Sequence, residues 1–310
     1  MRILFTGASS FTGFWFVSAL SKAGHEVVCP LRGAPEDYEG VRRQRVEALT
    51  NLCRLVSRTS FGSEAFLALA REGDWDLLCH HAADVTNYKS PDFDVHQALL
   101  NNTSNLRAVL TALKDHGAKG VALTGSVFEN DEGLGGQPLR AFSPYGLSKG
   151  LTWQTFRYYC GDLGLPLGKF VIPNPFGHLE DPRFTAYLMK TWKEGKPASV
   201  KTPEYIRDNI HVDLLASVYR QFAERMAAST ELLCKLNPSG YVESQGAFTL
   251  RVAREVKART PWACEVQLPK QTEFNEPLIR INQHTANRSI PAWSETAAWD
   301  QFVRFYFASR

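Results

Sequence analysis

Short apolar runs alternate with helical or turn-like stretches through the first 172 residues, and this alternation restricts the fold more than any single motif does. The runs are "RILFTG", "HEVVCPL", "NLCRLVS", "WDLLCHHA", "GVALTGS" and "LGKFVIPN". Between them lie helical patterns over 12–23, 36–49, 63–72, 93–115 and 145–163. The stretch "LLNNTSNLRAVLTALKDHG" places Leu and Val at helical spacing and stops on Gly117, a natural C-terminal signal. Strands alternating with helices make parallel βαβ units, so the pattern predicts an α/β fold built on a doubly wound parallel (Rossmann) sheet.

From Pro173 onward the character changes to Pro-rich turns ("PNPFGHLEDPRF"), a helix near 184–194, a strand-like "SVKTPEYIRDNIHV" and an apolar helix over 212–227. This predicts a dinucleotide-binding domain over 1–172, to which about 209–230 crosses back. Residues 173–208 and 231–310 then make a smaller mixed α/β C-terminal substrate lobe. A chain of 310 residues with 44% hydrophobic residues suits two lobes of unequal size.

The net charge of +3 comes from interspersed Lys, Arg, Asp and Glu, which excludes a nucleic-acid footprint. Six cysteines are spread singly with no CxxC pair and read as reduced, core-type residues of a cytoplasmic protein. Thr6 to Gly13 interrupts the first apolar run, against a signal peptide. No stretch reaches the ~18 apolar residues of a membrane span, so the chain is expected to be soluble, without a membrane partner.

The chain opens "MRILFTGASSFTGFWF", with Gly7 and Gly13 in a strand–turn–helix and Ser10 where a third glycine is expected. Glycines let the backbone approach a pyrophosphate, and the helix N-terminus offers free N–H groups and a positive dipole end. A plain tight junction is the competing reading; the motif's place at the head of a βαβ series favours the phosphate. Arg32 lies just past the second run, with no acid until Glu36 and Asp37. An arginine at this edge suits the 2′-phosphate of NADP, against a simple solvated surface residue.

"SPYGLSKG" supplies Tyr145 and Lys149 at i, i+4, a spacing that puts both on one helix face. A phenol is a weak acid–base group near neutrality unless a cation favours its ionised form, and Lys149 is such a cation. Thr124 or Ser126, at the end of "GVALTGS", can donate to a substrate oxygen or simply cap a turn. Asn102 is either a hydrogen-bonded core residue or the anchor of a proton-relay water.

Taken in order, these stretches resemble an extended short-chain dehydrogenase/reductase of the NAD(P)-dependent nucleotide-sugar epimerase/dehydratase family. The shared residues are "TGASSFTG" for TGxxGxxG, "HHAAD" for HxAA, Asn102 with "NLRAVLTAL", Thr124 before "VF", Tyr145-xxx-Lys149, "NPFG", and "RDNIHVDLLA" for RDxxHVxDxA. They span almost the whole chain.

The resemblance implies that Gly7, Ser9, Ser10, Phe11, Thr12 and Gly13 line the cofactor pyrophosphate, with Arg32, His81, Ala82, Ala83 and Pro173 along the rest of the dinucleotide. Tyr145 is then the general acid/base, Lys149 its cation and ribose ligand, Thr124 the partner on the sugar oxygen, and Asn102 the support. Ser126, Asn174, Arg183 and Arg207 fall on the substrate side, with Asn174 and Arg207 on its diphosphate. A homodimer through the helices at 93–115 and 145–163 is also implied.

Three departures narrow the reaction. Ser10 replaces the second glycine, "LVSRTS" lacks the acid near the adenine, and "TGSVF" lacks the Asp-Glu pair of sugar 4,6-dehydratases. Water elimination is therefore not expected. Two reactions share the site: an NADP(H)-dependent 4-keto-sugar-nucleotide reductase, favoured by Arg32, and an NAD-dependent nucleotide-sugar 4-epimerase. A non-catalytic dinucleotide sensor is a third reading, disfavoured by the presence of Tyr145, Lys149 and Thr124 together. His80 and His81 lack companions at metal-ligand spacing, so no metal is expected. Trp153, Phe156 and Tyr159 read as core or dimer-face residues.

Overall fold

In β1 (Arg2–Thr6), Ile3 and Phe5 pack into one apolar cluster and Leu4 into another. That is the period-two alternation of a strand with a core on each face. The computed structural model describes residues 1–308. It places β1 in a seven-stranded sheet with β2 (Glu26–Pro30), β3 (Arg54–Val56), β4 (Leu77–His80), β5 (Gly120–Ser126), β7 (Leu167–Ile172) and β11 (Leu233–Leu236). The order is β11-β7-β5-β4-β1-β2-β3, and neighbouring strands are parallel.

One face is covered by α1 (Phe11–Lys22) and α8 (Val212–Ala228), through Phe16, Val17, Leu20, Tyr219 and Phe222. The other is covered by α3 (Glu64–Arg71), α5 (Leu106–Asp115) and α6 (Pro144–Leu163), through Phe66, Leu69, Val109, Leu110, Leu113 and Phe156. Two further helices, α2 (Gly40–Leu49) and α4 (Val95–Thr103), complete this half. The chain winds outward in one direction from β1 and in the other from β4. Their carboxyl ends therefore flank the crevice where such sheets bind ligands.

A second, mixed sheet contains β6 (Leu134–Gly135), β8 (Asn174–Phe176), β10 (Ile206–His211), β13 (Tyr241–Ser244) and β15 (Ile279–Ile281). Two short ladders accompany it, β9 (Ala198–Ser199) with β14 (Val266–Gln267) and β12 (Pro238–Ser239) with β16 (His284–Thr285). Around them lie α7 (Phe184–Lys193), α9 (Gln245–Lys257), the short α10 (Ala286–Ser289) and α11 (Glu295–Ala308). Phe176, Trp192, Phe248, Trp299 and Phe302 form this lobe's core.

The structure differs from the sequence pattern at four places. The helix expected over 93–115 breaks at Asn105, which adopts φ +48° and donates through Nδ2 to the Gly62 carbonyl at 2.7 Å. The pattern at 36–49 begins as a single 3-10 turn at Pro35–Asp37, and α2 starts afresh at Gly40, with φ +54°. Of the strand-like run at 199–212, the long pairing segment is β10, because Pro203 cannot donate to a ladder. The edge strand β11 lies beyond residue 230 yet belongs to the large sheet.

Candidate active site

At the carboxyl end of β1, Gly7 has φ +82°, and a Cβ there would lie 2.7 Å from the Ala82 nitrogen. A Cβ on Gly13 would lie 2.2 Å from the Gly7 carbonyl oxygen, so α1 sits directly on the turn. Ser10 needs no such freedom. With φ −75° it is the N-cap of α1, accepting from the Gly13 N–H at 3.1 Å and donating to the Gly7 carbonyl at 2.9 Å. A side-chain cap of this kind stabilises a helix by ~1 kcal/mol. The serine thus reinforces the turn. The N–H groups of Phe11 and Thr12 have no acceptor within the helix and stand at its positive end.

His81, just past β4, joins this turn to the next strand. Its Nε2 lies 2.9 Å from Thr12 Oγ1 and 3.0 Å from Ser10 Oγ, and its Nδ1 lies 3.0 Å from Thr124 Oγ1. Ser10 already donates to Gly7, so the partners assign the proton to Nε2 and leave Nδ1 to accept from the Thr124 hydroxyl. Thr6 Oγ1 accepts from the backbone N–H groups of His81 and Ala82. Ala83 follows, half-buried.

At the end of β2, Arg32 is exposed and has a neighbour that the sequence reading missed. Arg42 on α2 grips Ser9 Oγ through Nε at 3.1 Å and Nη2 at 2.8 Å, and lies 4.9 Å over the Tyr38 ring. Burial lowers the Arg42 pKa, and the charges of Arg32 and Arg45 lower it further. Burial works against the Asp84 carboxylate, but hydrogen bonds from Thr86 and Asn101 and the Arg32 charge hold its pKa below the usual range. Arg45, 1% exposed, donates to the carbonyls of Ser9 and Leu179 and pairs with Asp181 at 2.8 Å. The signal in the sequence was the run "RRQR" on the helix after β2.

Tyr145 and Lys149 stand on the first turns of α6, which Ser143 caps through the Gly146 N–H. Lys149 is 5% exposed and its Nζ donates to the Thr124 carbonyl at 2.5 Å. Burial lowers its pKa to about 8, with Lys169 adding to the effect and Glu129 opposing it. Tyr145 is half-buried, its ring 5.6 Å from Tyr88 and 5.9 Å from Phe93. Burial raises its pKa to about 12, with Glu129 reinforcing and Arg183 opposing. The phenol is therefore protonated at neutral pH.

The remaining expected residues divide. Arg183 faces Tyr145 electrostatically and lies 5.8 Å over the Tyr88 ring. Ser126 Oγ accepts from the Phe128 N–H, as a turn hydroxyl does. Asn102 is a satisfied core residue: Oδ1 accepts from the Asp84 N–H and Nδ2 donates to Thr152 Oγ1. Pro173 is buried at the β7–β8 junction, and Asn174 donates to the Asp208 carbonyl. Arg207 has its fork filled by protein. It donates to Glu276 at 2.8 Å and to the carbonyls of Ile206, Pro277 and Leu278, stacked 4.5 Å from the Tyr205 ring. Phe156 is core, whereas Trp153 is half-buried over Lys169.

Among the described residues no group of three or more His, Cys, Asp or Glu is placed to hold a metal ion. No described helix is long and apolar enough to cross a membrane. His80, His81 and His211 are buried, and burial lowers each pKa to about 3. These rings stay neutral in the folded protein but protonate in the unfolded chain near ~6.5, so their contribution is present above that pH and is lost as pH falls toward about 3. Burial raises Asp208 to about 6 and Glu180 to about 7, which acts in the opposite sense. Three histidines outweigh two carboxyls. Urea unfolding should show lower stability at about pH 5.5 than at about pH 7.5, by on the order of 1 kcal/mol.

The model of the NAD dependent epimerase/dehydratase family matches residues 3–232. No curated protein matches the chain in sequence. Among solved structures, UDP-glucuronic acid 4-epimerase from Bacillus cereus, in complex with UDP-glucuronic acid and NAD, superposes with a TM-score of 0.75 at 17% identity over 99% of both chains. UDP-glucose 4-epimerase from Stenotrophomonas maltophilia, with NAD and formylated UDP-arabinopyranose, gives 0.73 at 20% identity, covering 99% of this chain and 98% of its own. dTDP-glucose 4,6-dehydratase from Streptomyces venezuelae, with NAD bound, gives 0.74 at 18% identity, covering 100% of this chain and 98% of its own.

Proposed function

The chain belongs to the NAD-dependent epimerase/dehydratase family, and from that premise we propose that it is an NADP(H)-dependent reductase of a 4-keto sugar carried on a nucleoside diphosphate. The observation that carries the reading is Arg32, just past β2, with Arg42 of α2 reaching back to the phosphate turn at Ser9, where a dinucleotide's adenosine ribose lies in such sheets. The Arg32 charge acts against that of Arg42, and a 2′-phosphate bound by both would relieve the repulsion with charge-assisted hydrogen bonds.

The chain fits the dinucleotide elsewhere too. The turn at Gly7–Gly13 excludes side chains from the β1–α1 junction, and the N–H groups of Phe11 and Thr12 have no acceptor within the helix. Ala82, Ala83 and Pro173 would border the bound dinucleotide, and Lys149 would hold its ribose. When bound, NADPH supplies the hydride.

The residues supply the rest. Tyr145 is protonated near neutrality and gives its proton to the former carbonyl oxygen. Lys149, held against the Thr124 carbonyl, favours the phenolate that results. The Thr124 hydroxyl has its proton turned to His81 here and must turn it to the substrate oxygen to support the charge that develops there. Asn102 supports the loop after β4. Arg183 and Asn174 lie on the substrate side. For Arg207 to take the diphosphate, Glu276 must give way.

The test is NADPH oxidation by the purified protein with 4-keto sugars on different nucleoside diphosphates. Turnover with NADPH and little with NADH is the expected result. Interconversion of 4-epimers without added cofactor would replace this reading with the epimerase.

We also propose a homodimer. Leu147, Leu151 and Tyr158 recur along one face of α6 beside Leu100 of α4, with 42%, 38%, 68% and 61% of their surfaces exposed. Exposed apolar faces of this kind mark interfaces. Sedimentation velocity should show a dimer for the wild type and a monomer for Leu151→Glu/Tyr158→Glu.

A further inference from the structure

Behind the catalytic strand lies a cluster of charges that the mechanism above leaves unused. Lys169 projects from β7 and is 1% exposed. Its Nζ donates to Glu129 Oε2 at 2.6 Å and to Glu132 Oε1 at 2.7 Å, with side-chain exposures of 2%, 0% and 5%. Lys235 of β11, half in solvent, closes the row at 3.2 Å from Glu132. Two cations and two carboxylates balance, as burial requires.

The cluster reaches the reacting groups through Glu129. Its Oε1 accepts from the Ser126 N–H at 2.7 Å, fixing the end of the strand whose Thr124 carbonyl holds Lys149. Gly125 leaves the necessary room: a Cβ there would meet Lys169 Cε at 2.6 Å and Glu129 Oε1 at 3.0 Å. Trp153, one turn after Lys149 on α6, covers Lys169 Nζ at 4.9 Å. Arg280, also 1% exposed, donates to the carbonyls of Val127, Glu129, Glu132 and Arg140 and fixes the segment bearing both glutamates.

We propose that Glu129 and Lys169 are positioning residues of this site: Glu129 fixes the Thr124–Ser126 strand end, and the buried pair sets the charge that Lys149 experiences. An apolar pair would fill the same volume without desolvating ions, so bulk stability does not account for the arrangement. The groups facing Lys149 are Glu129, Lys169 of β7, the neutral His80 and His81 at the end of β4, and Tyr145 on its own helix. Those acting on Tyr145 are Glu129, Arg183 and Tyr88. Glu129 raises the Lys149 pKa and Lys169 lowers it. Opposite charges must act on a neighbouring cation in opposite directions, so each member of the pair has its own measurable effect on Lys149.

The kinetic half of this inference rests on the proposed reductase chemistry, so the decisive readout is independent of substrate. In protein carrying 13Cε-lysine, the Lys149 signal, assigned with Lys149→Met, is titrated by NMR. Glu129→Gln should move its titration to lower pH and Lys169→Met should move it to higher pH. The same variants should lower kcat at neutral pH by ~10-fold or more, with KM and the NADPH Kd nearly unchanged.

Shifts in the same direction, or an unmoved Lys149, would overturn the proposal. A wild type that reduces no keto sugar while Lys149 still shifts would overturn the reductase and leave the positioning role standing. If a single variant does not fold, Glu129→Leu/Lys169→Met removes both charges together. A folded double variant with wild-type kcat would then sink the proposal, and one with intact NADPH affinity and depressed kcat would support it.

Discussion

Tyr145→Phe should cut turnover by about 10²–10⁴-fold, the usual worth of a positioned proton donor, while leaving NADPH affinity and the melting temperature close to the wild type. The ring's packing on Tyr88 and Phe93 is retained by phenylalanine, so only the hydroxyl is lost. Single-turnover rates beside NADPH fluorescence titrations separate the two effects. A variant that keeps more than about a tenth of wild-type turnover would move the proton-donor role to another group. Loss of cofactor binding as well would mean that the phenol serves the dinucleotide more than the sugar.

The second large effect concerns cofactor choice. Arg32→Ala/Arg42→Ala should lose about 10–100-fold of the preference for NADPH over NADH, the range for hydrogen bonds between charged partners after solvent screening. In Arg32→Ala alone NADH affinity should change little, because its adenosine ribose carries no phosphate. Arg32 is the cleaner single probe, since Arg42 also grips Ser9 and its loss loosens the turn. The discrimination should weaken as salt is added, as expected for exposed charges. Equal affinity for both nucleotides in the wild type would remove the reason for reading these arginines as a phosphate site.

The large sheet was legible because parallel strands covered on both faces must be apolar at successive positions, as in "ILF" of β1, and such runs cannot hide among surface segments. The phosphate turn and the Tyr145–Lys149 pair were legible because each depends on local spacing. What stayed hidden depends on partners distant in the chain. No periodicity announces that His81 bonds Thr12 and Thr124 at once, or that Lys169 meets Glu129 forty residues before it.

Arg207 shows the same limit from the other side. Its position suggests an anion ligand, but Glu276, 69 residues later, already fills its fork. The break at Asn105 escaped notice because asparagine adopts positive φ readily enough to turn a helix without a glycine. Ser10 looked like a defect in a glycine pattern; its backbone needs no positive φ, and its hydroxyl caps α1.

The most direct test of the central claim is to denature the purified protein, identify any nucleotide it releases, and measure NADPH and NADH affinities on the refolded or nucleotide-free protein. The account predicts no stoichiometric NAD and a Kd for NADPH well below that for NADH. One equivalent of NAD retained through dialysis would contradict it and mark a closed redox cycle within one active site, the signature of an epimerase.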